Sequence, residues 1–204
     1  MPSVLITGAA RGIGKSTAMQ MAADGWDVIA GVRTERDGKA ITATNPRRIS
    51  PVLLDVTNAE HISALANSLP TQLNAIVNNA GIVVSGPVEA VPPTEVRRQF
   101  EVNVIGQLAV TQAVLPRLRR SRGRIVRSLY ARHLEGLAQS IPEAERLVLP
   151  ADRVAEVVAQ ALTTRRPRAR YVVGLNARMQ LAVLPNLPTA ARDRLFHTLA
   201  RQPR

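Results

Sequence analysis

The chain has 204 residues, 46% of them hydrophobic and 21% charged, which suits one soluble globular domain able to bury a core unaided. It has no cysteine, which excludes disulfide staples, thiol nucleophiles and cysteine-held metal. The formal charge of +12 is uneven: residues 1–96 carry seven basic and eight acidic side chains, residues 97–204 twenty and seven.

In chain order, Val4-Leu5-Ile6 reads as a short buried strand, followed by a glycine-rich turn and a helix from about Lys15 to Asp24. Val28-Ile29-Ala30, ending near Arg33, and Val52-Leu53-Leu54 are the next strands, and Ile62 to Leu69 has helical spacing. Ala75-Ile76-Val77 is a fourth strand, closed by Asn78-Asn79-Ala80-Gly81. Pro92-Pro93-Thr94-Glu95 opens a long helix with Thr94 as its expected cap, and Val96, Phe100, Val104, Leu108 and Thr111 follow at helical spacing to about Leu118. Ile125-Val126 is a fifth strand, Asp152 is expected to cap a helix through Leu162, and Tyr171-Val172-Val173 reads as a late strand. Strands alternating with helices predict an α/β fold, a parallel sheet covered on both faces.

Thr7-Gly8-Ala9-Ala10-Arg11-Gly12-Ile13-Gly14 lies between the first strand and the first helix. Glycines allow a tight turn and close backbone approach, and a helix N-terminus offers unpaired N–H groups to a diphosphate. Two ligand classes fit at this point. Ala9 to Ser16 is one residue from the P-loop pattern, with Lys15 for phosphates, Ser16 for a metal and Asp55 ending an apolar strand. The same turn also suits a dinucleotide.

The wider pattern resembles the short-chain dehydrogenase/reductases. Thr7, Gly8, Gly12 and Gly14 match that family's TGxxxGxG, with Arg11 and Ile13 inside the turn. Asp55, in Leu54-Asp55-Val56, matches the aspartate placed near the adenine, Asn78-Asn79-Ala80-Gly81 the NNAG motif, and Asn103 the helix asparagine of the catalytic set. Gly123-Arg124-Ile125-Val126 matches the start of the fifth strand, so the likeness spans about residues 3–128. The stretch from Ala161 to Arg178 also resembles the end of members with steroid- or retinol-like substrates. The resemblance implies a single Rossmann-type domain and hydride transfer between a nicotinamide cofactor and a small carbonyl or alcohol substrate. Taken singly, each residue has a plainer reading: Asp55 as a helix cap, Asn78-Asn79 as a turn, Asn103 as a buried amide.

An acid at the end of the second strand would bind the ribose 2′-OH and repel a 2′-phosphate. Here that place falls on Val32, followed by Arg33, with Arg11 in the glycine turn, so NADP(H) is expected over NAD(H).

The catalytic half departs from the family plan. The expected proton-transferring tyrosine is Tyr130, but Leu134 stands where the family's lysine belongs, and no lysine follows Lys39. Ser128 is the nearest serine and His133 the nearest titratable neighbour on the same helix side. Two stretches read as missing, one before Tyr130 and one after Ser140, where the serine loop, the sixth strand and the substrate lid belong. Lowering an ordinary tyrosine pKa of about 10 to near 7 requires roughly 4 kcal/mol, and the lysine is not there to help. Impaired turnover, or a dinucleotide-binding protein without turnover, is therefore an expectation alongside the enzyme. The shortening also predicts weakened folding or altered homo-oligomerisation. With so few aromatic residues for base stacking, the arginine excess reads as a solvated surface and no nucleic acid partner is expected. No apolar run nears the length of a membrane span, and a cytoplasmic location is expected.

Overall fold

The computed structural model describes residues 1–127 and 149–174. The chain divides into two compact units, Met1–Arg168 and Ala169–Arg204, and the architecture below is that of the first. Its elements are β1 (Ser3–Thr7), α1 (Gly12–Ala23), β2 (Asp27–Val32), α2 (Glu35–Thr42), β3 (Ile49–Leu53), α3 (Ala59–Ser68) and β4 (Ala75–Asn78). Then come α4 (Pro93–Phe100), a π-helical turn over Glu101–Ile105, α5 (Gly106–Ser121), β5 (Arg124–Arg127) and α6 (Ala151–Thr163).

The three central strands are too apolar to leave a face in water, while the edge strands β3 and β5 keep Leu53 and Ile125 exposed. All five residues of β1 are buried, and β4 is buried throughout. The sheet they form is wholly parallel, in the order β3-β2-β1-β4-β5. Alternate residues feed two cores. Val4, Ile6, Val28, Ala30 and Val77 pack with Ala18 and Met21 of α1, Ile41 of α2, and Val158 and Leu162 of α6. Leu5, Ile29 and Ile76 pack on the other face with Leu65 of α3 and Val110, Val114 and Leu118 of α5. The expected α/β class, with helices on both faces, is what forms. The order also reverses between β1 and β4, and in such sheets ligands bind in the crevice at the carboxyl ends of the strands flanking that switch.

Several expectations change. Helix α2 forms where no element was expected, because Thr34 caps it by accepting the Asp37 N–H at 3.1 Å and Glu35 and Asp37 face its dipole. Thr94 is not a cap. Pro92 holds that place and Thr94 lies inside the first turn, where the fixed φ of Pro93 suits the helix start. Asp152 likewise falls within the first turn of α6, after Pro150. The spaced residues Val96, Phe100, Val104 and Leu108 are not the buried stripe, being 40%, 58%, 44% and 56% exposed; the buried side of α5 is Gln107, Val110, Val114 and Leu118. Tyr171–Val173 is irregular rather than a strand, since three strand-formers between Arg170 and Gly174 are a short run for a ladder. Among the described residues the sheet has five strands, and none of their helices is long and apolar enough to cross a membrane. Ser128, Tyr130, His133 and Leu134–Ser140 lie outside the described residues.

Candidate functional site

The glycine turn sits at the switch point. Gly8 and Gly12 have φ of +66° and +54°, a region that L side chains rarely adopt. A side chain at Gly8 would meet the Ala80 Cα at 2.9 Å, and one at Gly14 would collide with the Gly8 carbonyl and the Asn79 amide. The turn is therefore pressed against the segment after β4, and only glycine permits that approach.

Thr7 and Asn79 fasten the two strand ends. The Thr7 hydroxyl, fully buried, accepts the N–H groups of Asn79 and Ala80, each at 2.9 Å. Asn79 returns the contact, its Nδ2 donating to the Thr7 carbonyl at 3.0 Å and the Gly8 carbonyl at 3.1 Å. Gln107 closes the far side by donating to the Ala80 carbonyl. Thr7 was expected only as the first residue of the glycine motif, and Gln107 was not expected at all. The sequence signal for the hydroxyl's role was a threonine following the apolar run Val4-Leu5-Ile6, a place where a hydroxyl needs a partner.

Helix α1 starts at Gly12 with Arg11 in the cap position, no side-chain cap and no acid in its first turn. Thr34 and Asn58 cap α2 and α3, and α4 and α6 carry Glu95 and Asp152 in their first turns. The α1 N-terminus thus keeps its donors and its positive end for an anion, with the exposed Arg11 beside it and Ile13 turned into the core. Backbone walls that a Cβ would fill, N–H donors and a guanidinium fit a diphosphate.

Arg33 and Asp55 follow the ends of β2 and β3. The Asp55 carboxylate accepts the Thr57 N–H at 2.9 Å and the Thr57 hydroxyl at 2.7 Å. Burial pushes its pKa up, but the Thr57 hydrogen bonds and the positive charge of Arg33, with a smaller contribution from the neighbouring His61, outweigh this and hold it below the ordinary carboxylate value. The cap of α3 is Asn58, not Asp55. Val56 is buried, its carbonyl against Gly106. Val32 ends β2 inside the core, so no acid stands at that strand end.

Asn103 lies in the π-helical turn. Its Oδ1 accepts the Ile82 N–H and its Nδ2 donates to the Ile82 carbonyl, both at 2.8 Å, and a side chain at Gly81 would meet that Oδ1 at 3.2 Å. A π-turn adds a residue to the helical turn, and it aims Asn103 at this loop. The structure thus gathers Gly8, Gly12, Gly14, Asn79, Ala80, Gly81 and Asn103 around the β1/β4 switch, and Arg33, Asp55 and Val56 at the adjoining strand ends.

A glycine turn at the switch point of a parallel sheet defines a Rossmann-type nucleotide-binding fold. The comparisons refine this: the sequence pattern of the family described as short chain dehydrogenase matches residues 2–130, and the chain belongs to that family. Over 129 residues it is 39% identical to the 3-amino-tetrahydro-pyrrolizinone reductase of Xenorhabdus hominickii, covering 61% of this chain and 44% of that protein. It is 23% identical to the NADPH-dependent 3-dehydrocapnine reductase of Ornithobacterium rhinotracheale over 273 residues, spanning 97% of this chain and 96% of that one. That alignment is longer than the chain itself, so the chain carries gaps against this relative. A short-chain dehydrogenase from Streptomyces avermitilis shares the fold, with TM-score 0.72, 22% identity and coverage of 96% and 95% of the two chains. The chain spans less than half the length of several curated relatives it matches.

Proposed function

We propose that the chain binds a nicotinamide dinucleotide, NADP(H) in preference to NAD(H), and acts as an oxidoreductase on a small carbonyl or alcohol substrate. The observation that carries this reading is the uncapped α1 N-terminus, opened by a glycine turn locked against Asn79 and Ala80. In this reading the diphosphate rests on the amides from Gly12 to Gly14 beside Arg11, and Asp55 and Val56 flank the adenine. Asn79, Ala80 and Gly81 border the cleft. When bound, the cofactor supplies or accepts a hydride. The chain's own part is to orient the carbonyl and move a proton, and Tyr130 is the residue we assign to that proton. Asn103 acts through Ile82, fixing the loop beside the cleft. A cytoplasmic location belongs to the same proposal.

A magnesium-nucleotide reading is less well supported. Asp55 lies two residues past the end of β3 with its carboxylate engaged by Thr57, and Ala9 stands where the P-loop pattern has its first glycine. A second reading, binding without turnover, is favoured by one observation: no lysine follows Lys39. General acid–base assistance is worth about 10²–10⁴-fold, so its loss leaves little turnover. Reduction of a carbonyl panel with NADPH separates these two readings.

Cofactor preference is tested by titrating NADPH and NADH and following nicotinamide fluorescence. The expected result is tighter NADPH binding, with Arg33→Ala weakening NADPH about 5–10-fold and NADH little, as loss of a charged hydrogen bond to the 2′-phosphate requires. Equal losses for both cofactors would remove Arg33 from that role.

A further inference from the structure

We infer that His61 is a positioning residue for the adenosine side of the cleft, and that the hydrogen bond it accepts from the Asp55 backbone makes dinucleotide affinity depend on its protonation. This rests on the dinucleotide reading above. The motif residues named for the site do not include His61.

The strand ladder ends just before this turn. Leu54 still donates its N–H to the Val32 carbonyl, at 2.7 Å. The next N–H, that of Asp55, donates to His61 Nδ1 at 3.1 Å. A backbone N–H can only donate, so Nδ1 is unprotonated and the ring in this contact is neutral, with its hydrogen on Nε2. The helix turn that carries the ring is fixed, because the backbone N–H groups of His61 and Glu60 both donate to Asn58 Oδ1, at 3.1 and 2.8 Å. At Asp55 the backbone N–H is therefore held by an imidazole rather than by a neighbouring strand, while Val56 is seated in the core.

Histidine is the side chain whose ordinary titration crosses the neutral range. A proton on Nδ1 sets two donors face to face and breaks the contact. The charged ring is then drawn to the Asp55 carboxylate, which already holds Thr57. Among the described residues, the charged groups beside His61 on the adjoining elements are Asp55 after β3, Arg33 after β2 and Glu60 on its own helix. The packed helix α5 carries no charge in its first two turns. Both effects turn Asp55 and Val56 away from the arrangement the structure shows, so acidification weakens dinucleotide binding.

The test measures NADP⁺ affinity by calorimetry at about pH 8 and about pH 5.5, a span that brackets ordinary histidine titration, for the parent and His61→Asn. The asparagine oxygen is an acceptor that does not titrate. The ligand's own phosphate titration is common to both proteins and cancels in their ratio. From the higher pH to the lower, the parent is expected to lose about five-fold more affinity than His61→Asn, the size of one ordinary hydrogen bond. His61→Gln replaces it if the asparagine variant does not fold by circular dichroism. The same pH dependence in parent and variant overturns the inference. Failure of the folded parent to bind NADP⁺ at either pH overturns the dinucleotide reading itself, and this inference with it.

Discussion

Thr7 is a single, fully buried hydroxyl on which two backbone N–H groups depend. Thr7→Val keeps the shape and leaves both donors unpaired, each costing about 1–3 kcal/mol. The expected loss is about 2–4 kcal/mol, read as a lower urea midpoint at an unchanged slope. A midpoint equal to the parent's would mean the two strand ends are held by other means. Asp55 responds to pH in one definite direction. Its carboxyl titrates lower folded than ordinary carboxyls do, for the reasons given above. Its contribution is therefore complete above the unfolded value of about 3.9 and is lost as pH falls through the folded one. Asp55→Asn keeps an acceptor for Thr57 but no charge, so the parent's advantage in urea should vanish on acidification below about pH 4. An advantage that persists in acid would contradict the charge-based account. At this scale the glycines and Asn79 were legible, because their backbone demands are local. Thr7 and His61 were not, since their roles arise only when strand ends distant in sequence are brought together.

At the scale of elements, α5 is seated through Gly106. A Cβ there would lie 2.5 Å from the Val56 carbonyl oxygen and 3.0 Å from that of Glu101, both backbone atoms that cannot swing aside. Alanine is the better helix former by about 1 kcal/mol. Gly106→Ala is nevertheless expected to destabilise by about 1–3 kcal/mol in a denaturant melt, as overpacking does. A stabilised variant would show that α5 does not rest on the β3–α3 loop. This same helix shows why periodicity misled. Val96, Phe100, Val104 and Leu108 repeat at helical spacing, but α4 buries none of its residues and a π-turn separates it from α5. Burial instead falls to Val110, Val114 and Leu118, with the polar Gln107 among them. The strands were legible because short apolar runs between turn residues have few other uses. Helix α2, polar and interrupted by Gly38, was not, because its start is set by the Thr34 cap rather than by an apolar pattern.

Across the whole molecule, alternation of strands and helices foretold a parallel sheet but not its order. The order depends on which way the chain turns after β3, and that turn creates the switch at β1 and β4. Pro51 is a trace of the result, since β3 is an edge strand and a missing N–H is tolerated there. The basic excess is more than a solvated coat. Arg117 and Arg120 donate through Nε to the Pro70 and Thr71 carbonyls at 3.2 and 3.1 Å. Arg124 bonds the Ala161 and Leu162 carbonyls near the end of α6, where a cation meets the negative end of the helix. These arginines tie helices and loops around the sheet, on side chains that composition alone assigns to water.

The central claim is that the α1 N-terminus holds a dinucleotide diphosphate. It is tested most directly by titrating the folded chain with NADPH, beside Gly14→Val, which fills the space between the Gly8 carbonyl and the Asn79 amide. The account predicts saturable binding by the parent and its loss in the variant, with the parent's fold confirmed by circular dichroism. A folded parent that leaves NADPH fluorescence unchanged up to millimolar concentration would contradict it.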